Sequence, residues 1–380
     1  MNLHELVNVS IAVASTRSRL KKRAALAECL RAADEGEIEL VVNYLGGVMA
    51  QGRIGLGPAT VSSALKAAAA GSDLVPLVEL NKILDDIASQ SGDGSKRRKE
   101  ALFGALLNRV AIAEQQFLAG LVLGEIRQGA LEGMLVDAIA NATGLPATGV
   151  RRAVMLAADP APVAKAALTF GASGLEQFQL EPLKPVRPML ATPAENIDDA
   201  MTSLGEAVLQ VKLDGARVQV HRVDGEVRIF TRQMNEVTER LPEIVETVSA
   251  LPVTSLILDG EAIAINEKGR PLPFQVTMRR FGRSSNIVEM RKSLPLSGIF
   301  FDCLYVNGEA RIDEPLNARL ETLSALLPDE ALVDQLTTAD AGAASRFLAR
   351  AYDAGHEGLM AKAPTSVYAA GNRGAEWLKI

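Results

Sequence analysis

The run Lys212-Leu213-Asp214-Gly215-Ala216-Arg217 sets a lysine, a turn-forming dipeptide and an arginine within six residues. An ammonium has no free electron pair. A lysine that acts as a nucleophile therefore needs burial, neighbouring cations or a metal near the reacting centre to ease loss of its proton. Val208 to Leu213 and Arg217 to Val223 alternate apolar and polar positions and are rich in β-branched residues, so both read as strands. Asp214-Gly215 then forms a tight turn that holds Lys212 rigidly. This setting nominates Lys212 as a lysine that attacks phosphorus. The competing reading is a hairpin turn carrying a solvated lysine, and six residues alone do not decide between them.

Further blocks follow in order: Thr231-Arg232, Leu258-Asp259-Gly260-Glu261, Phe300-Phe301-Asp302, Glu357-Gly358-Leu359-Met360-Ala361-Lys362 and Trp377-Leu378-Lys379-Ile380. Transfer at phosphorus passes through a crowded, negatively charged pentacoordinate arrangement, which calls for cations and a divalent metal where the charge develops. Arg217, Arg232, Lys362 and Lys379 supply the cations. Glu261 and Glu357 are carboxylates at or near the ends of apolar strands, suited to a ribose hydroxyl or to the oxygen-only coordination of Mg²⁺. Phe301 lies in an apolar strand, where its residue type taken alone reads as core. Asp259 and Asp302 either take part or order a neighbouring lysine or turn.

In this order the blocks resemble the covalent nucleotidyltransferases, specifically the ATP-dependent DNA ligases, from about Arg187 to Ile380. The resemblance implies that Lys212 forms a lysyl-AMP from ATP with Mg²⁺ or Mn²⁺. AMP then passes to the 5′-phosphate of nicked double-stranded DNA, and the 3′-hydroxyl displaces it to seal the strand. It further implies that Glu261 contacts ribose, that Glu357, with Glu261 as a second candidate, holds the metal, and that Phe301 stacks on adenine. Arg217, Arg232, Lys362 and Lys379 are expected to bind the nucleotide. One departure concerns the base. Many family members carry glutamate two residues before the nucleophile, where this chain has Gln210; its amide carbonyl can still accept from the adenine amino group, without charge assistance.

Composition is that of an ordinary globular protein with room for two or three domains: 380 residues, 48% hydrophobic and 23% charged. The first ten residues lack a signal-peptide pattern, and apolar stretches such as Leu102 to Gly124 are interrupted by polar residues. A cytoplasmic protein is expected, nucleoid-associated in a prokaryote, with no membrane partner. Cys29 and Cys303 are the only cysteines and read as buried thiols. Two cysteines cannot build a four-cysteine zinc site, which argues against the NAD-dependent ligases. The net charge of −6 does not advertise a nucleic-acid binder, so DNA contacts must come from local patches. Lys96, Arg97, Arg98 and Lys99 form one candidate, and the cluster from Arg17 to Arg23 another.

The pattern along the chain predicts a multidomain protein, an all-α N-terminal domain followed by an α+β adenylation domain with antiparallel sheets. Residues 1–178 are dominated by alanine, leucine and glutamate and punctuated by glycine. Glu37 to Gly47, Leu121 to Gly129 and Val150 to Ala153 resemble the helical DNA-binding domain of archaeal and eukaryotic-type ligases. A proline-rich linker is expected over 179–193. The adenylation domain is expected over 194–380, with a two-residue hairpin at Asp224-Gly225 and helices within Glu236 to Leu251, Asp313 to Leu327 and Thr338 to Ala354. Family members continue into an OB-fold domain, so the chain is expected to be a fragment, or else a two-domain form, acting as a monomer. An RNA ligase or capping-type nucleotidyltransferase, and an inactive DNA-binding fragment, are the alternatives.

Overall fold

Helix follows helix from the first residues, as the alanine- and leucine-rich composition requires. The computed structural model describes residues 1–126, 132–266, 270–281, 286–370 and 375–380. The chain divides into two units, Met1–Phe178 and Gln179–Ile380.

The first unit is all-α. Its helix starts are chemically legible: Asn2 and Glu5 form a capping box before Leu3–Ala14, and Asp159 caps Pro160–Phe170, which opens on proline. Leu6, Tyr44, Leu84, Phe103, Leu107 and Ile139 share one buried core. The basic run opens the helix Ser95–Arg109. Arg98 donates to Gln90 Oε1, Ser91 O and Asp93 O, each at 2.9 Å, and Lys99 Nζ donates to Ile54 O at 2.9 Å. Half of this patch therefore ties down its own loops, while Lys96 and Arg97 are exposed. Of the segment Leu121 to Gly129, residues 127–129 lie outside the described residues.

The second unit is α+β, as the change in pattern predicts. Its strands are β1 (Thr192–Pro193), β2 (Ala207–Lys212), β3 (Ala216–Val223), β4 (Glu226–Thr231), β5 (Ser255–Ala264), β6 (Leu296–Val306), β7 (Glu309–Ala310), β8 (Gln335–Thr338), β9 (Gly358–Lys362) and β10 (Trp377–Lys379). They form two five-stranded sheets, ordered β1-β10-β9-β2-β8 and β4-β3-β5-β6-β7. All pairings are antiparallel except the parallel β1–β10 pair. Asp224 and Gly225 both take positive φ, 47° and 92°, as a two-residue hairpin between β3 and β4 requires. Pro242 opens the helix Pro242–Ser249, Pro315 caps Leu316–Leu326, and Gly355 ends Ala341–Ala354 in the left-handed conformation.

Asp214-Gly215 does not close a hairpin. β2 and β3 lie in different sheets, and the turn carries the chain from one to the other. Alternation identifies a strand but not its partner. β2 is buried along both faces from Ala207 to Val211, the mark of a strand covered on each side. Val208 joins the core of the second sheet, while Ala207, Leu209 and Val211 join the core of the first.

The stretch Leu180 to Ala191 has no ladder of its own and is held by side chains of β3. Val186 N–H donates to Gln219 Oε1 at 2.8 Å, and Leu183 N–H to His221 Nδ1 at 3.0 Å. With Nδ1 accepting, His221 presents its proton at Nε2 to Gln219 Oε1, 2.8 Å away. Burial pushes this imidazole down to about 3, so it stays neutral.

Candidate active site

Side chains alternate along a strand, so Val208, Gln210 and Lys212 share the face of β2 turned toward the second sheet. There the strand meets a cavity of about 380 Å³, lined from both sheets. Five of its lining residues are cationic, Lys212, Arg217, Arg232, Lys362 and Lys379, against the single carboxylate of Glu261. A chain with net charge −6 thus concentrates positive charge at one place. Gln210 and Phe301 line the same cavity, with Trp377 and Met360 beside them. The residues singled out in the second unit are in this way brought together, with Glu357 at the end of Lys212.

Lys212 ends β2 and is partly exposed. Its ammonium forms an ion pair with Glu357, whose backbone N–H also bonds to Lys212 O at 3.2 Å. Glu357 immediately precedes β9, and the antiparallel register sets Lys212 opposite Gly358. The contact follows from strand pairing, not from proximity in sequence.

Lys362 is different. It is 1% exposed, and its ammonium has no hydrogen-bond partner among the described residues. It lies 3.9 Å from the Trp377 ring centroid and 4.6 Å from that of Phe301. Burial lowers its pKa to about 7, against opposing pulls from Asp302 and Asp259. A buried donor of three hydrogens opening on a cavity is prepared for an anion.

The two aspartates order arginines, where the sequence suggested lysines or a turn. Asp259 receives a bidentate pair from Arg217, at 3.0 and 2.7 Å, and a hydrogen bond from Tyr368 at 2.6 Å. Arg217 also donates to Met189 O at 2.7 Å. Asp302 holds Arg319 at 2.7 and 3.0 Å, both side chains fully buried. The Phe301 ring lies 5.4 Å from the Arg217 guanidinium, while the adjacent Phe300 points into the core at 0% exposure. Phe301 is half-buried and does both, packing against the core of the first sheet and lining the cavity. Arg232 and Lys379 are exposed at the rim.

Glu261 faces Arg217 across β3–β5. Burial pushes its carboxyl up to about 8 despite the nearby Arg217. Gly215 makes this approach possible: a Cβ there would lie 2.3 Å from Ile263 Cγ2, 2.5 Å from Ala262 O and 2.9 Å from Glu261 Cγ. Gly215→Ala should push β5 and Glu261 away from the turn, costing about 1–3 kcal/mol. Urea unfolding would measure that loss, and an unchanged midpoint would show that the turn yields freely.

Tyr368 and Trp377 were not among the candidate residues from sequence. Tyr368 lies in a stretch without periodicity, and only tertiary structure brings its hydroxyl to Asp259. Trp377 stands in a motif but offers no chemistry of its own until Lys362 is seen against its ring.

The family model described as ATP dependent DNA ligase domain matches residues 188–380, and that described as DNA ligase N terminus matches 72–140. A probable DNA ligase from Anaeromyxobacter sp. (strain Fw109-5) is 52% identical over this whole chain, which covers 73% of that protein. The chain belongs to the ATP-dependent DNA ligase family. A second ligase relative, a probable DNA ligase from Mycolicibacterium gilvum (strain PYR-GCK), is 46% identical, with 74% of its length covered. The ligase-family fold is also shared with a solved structure described as Pmar-Lig_PreS3, at TM-score 0.63 and 15% identity, covering 99% of this chain and 77% of the other. Among the described residues of this ligase-family chain, no helix is long and apolar enough to cross a membrane.

Proposed function

We propose that the cavity binds ATP and that Lys212 attacks its α-phosphorus. The observation that carries this reading is the buried Lys362 ammonium, without a hydrogen-bond partner among the described residues, facing the same cavity as Lys212, with three further cations lining it. Such a cavity suits a polyphosphate, and its apolar lining suits a base. Lys212 Nζ loses a proton and bonds to phosphorus as the bond to the β-phosphate oxygen breaks, releasing pyrophosphate and leaving a phosphoramidate to AMP. The Glu357 ion pair must open first. Lys362 and Lys379 neutralise phosphate charge, Arg217 and Arg232 bind nucleotide or nick phosphate, and Phe301 stacks on adenine. Gln210 accepts from the adenine amino group.

The carboxylates differ in what they fit. Glu357 is exposed and acceptor-rich, suited to Mg²⁺ or Mn²⁺ whose other ligands are phosphate oxygens and water. Glu261, whose carboxyl burial holds above the usual carboxylate range, suits a ribose hydroxyl better than a hard cation. The metal would supply charge neutralisation and polarisation at phosphorus.

AMP then passes from Lys212 to the 5′-phosphate of a DNA nick, and the 3′-hydroxyl attacks that phosphorus to seal the strand and release AMP. The helical first unit acts as the DNA-binding domain of an archaeal and eukaryotic-type ligase arrangement, with Lys96 and Arg97 as candidate phosphate contacts. Nicked DNA and nicked RNA are offered separately with ATP or GTP and Mg²⁺, and sealing is read on a denaturing gel. Sealing of DNA with ATP is expected; sealing confined to RNA, or dependence on GTP, would overturn the assignment.

A further inference from the structure

Resting on the reading that Lys362 meets the phosphates of the nucleotide, we infer that Arg319 is a positioning residue: by occupying both oxygens of Asp302 it keeps the Lys362 ammonium free for the ligand. The cluster begins with a slip in register. Across β5–β6, Asp259 stands opposite Asp302 and Gly260 opposite Phe300, so Phe301 is the extra residue of a β-bulge. Residues directly opposite share a face, which sets two carboxylates side by side. They are 1% and 0% exposed. Among the described residues, three cations surround them, Arg217, Arg319 and Lys362. Two carboxylates serve three cations, and Lys362 is the one left over.

Geometry decides which cation goes without. Arg319 enters from the helix Leu316–Leu326, its Nε donating to Asp302 Oδ1 at 2.7 Å and its Nη2 to Oδ2 at 3.0 Å. Its third nitrogen donates to Ser366 O at 2.9 Å and to Glu314 O. Backbone carbonyls only accept, so the guanidinium is held from both ends and does not leave Asp302 for another partner. Arg217 is committed in the same way to Asp259 and Met189 O. Lys362 has no such frame. It is a point charge on a flexible stem, and Asp302 attracts it more strongly than any other neighbouring charge, ahead of Asp259. With Arg319 in place the charge of Asp302 is matched and both of its oxygens are engaged, and the ammonium rests against the rings of Trp377 and Phe301. A phosphate displaces such a contact readily, whereas a buried carboxylate bonded to the ammonium would compete with it. Arg319 itself is fully buried and outside the cavity lining, so it acts on the nucleotide only through this pair.

Calorimetry of ATP binding to the full chain, beside denaturant unfolding, is the test. Arg319→Met keeps length and removes the charge; Asp302 should then take Lys362, and ATP affinity should fall about tenfold, the size of one lost charge-assisted contact. Arg319→Met combined with Asp302→Asn removes the competitor as well, and affinity should return to within about threefold of the unaltered chain. Stability supplies a readout that a merely supporting role would not move. Lys362→Met should stabilise the unaltered chain but destabilise Arg319→Met, where the lysine has become the partner of a buried carboxylate. Equal losses of affinity with and without Asp302→Asn, no loss in either, or a Lys362→Met that stabilises both backgrounds would each overturn the inference. So would failure of Arg319→Met to fold, because its Asp302 would then have found no partner. In each case ATP binding by the unaltered chain upholds the functional reading, and its absence would overturn both.

Discussion

Lys212→Ala should remove the covalent AMP adduct that forms when the chain is incubated with ATP and Mg²⁺, lowering its rate of formation by about 10⁴-fold or more. No other lysine can replace it. Lys362 lines the same cavity but is buried against Trp377 and Phe301, and Lys379 sits at the exposed rim of β10. The fold should survive, because the Lys212–Glu357 pair is partly exposed and such pairs contribute about 0–1 kcal/mol. Intact mass reports the adduct, and the thermal midpoint reports the fold. An AMP adduct persisting in the variant would remove Lys212 from its role.

Lys362→Met should do two opposite things at once: make the protein more stable and weaken nucleotide binding while leaving it measurable. Folding takes this ammonium out of water without giving it a hydrogen-bond partner among the described residues, and its pKa falls from 10.5 to about 7. The unfolded chain then binds the extra proton between about pH 7 and 10.5, so the lysine's contribution to stability rises with pH across that window and is least favourable below it. Methionine matches the length without the charge. Its gain at pH 7 is expected at roughly 1–4 kcal/mol, the range seen when buried charge is exchanged for a packed apolar chain. The neighbouring Asp259 and Asp302 keep their arginine partners. Denaturant unfolding would measure the gain, and a destabilised variant would mean that the ammonium is already satisfied.

The same lysine ties nucleotide binding to pH. A bound phosphate restores the charge, so above about pH 7 binding must take up a proton, and affinity should fall toward tenfold per pH unit as pH rises from about 7. Below pH 7 this dependence should flatten. Calorimetry in buffers of different ionisation enthalpy would read the proton uptake directly, and Lys362→Met should lack it.

What the sequence disclosed was decided by the range of the interactions involved. The helical first unit and the Asp224-Gly225 hairpin rest on local propensity and spacing, and both were legible. The five cations and Glu261 that line the cavity were nominated from sequence because chemistry at phosphorus restricts which residue types can serve; their roles remain those proposed above. The separation of β2 from β3 into two sheets was not legible, because a six-residue strand and a turn look alike whether the next strand returns beside it or crosses away. Nor could spacing reveal that Tyr368 steadies Asp259. That contact joins residues more than a hundred positions apart, and no local pattern encodes it.

The parallel β1–β10 pair has a consequence for how the molecule is made. Thr192 lies beside Leu378, so strands from the start and the finish of the second unit must meet before that sheet is complete. Trp377 and Lys379, which line the cavity, belong to β10, which follows the other strands of these two sheets in the chain. Closing so long a loop is slow, and the ordering cost falls before the contacts that offset it are formed. The helical unit is free to fold during translation, while the cavity must wait for β10. A nascent chain therefore exposes the lysine strand before β10 has closed the cavity beside it.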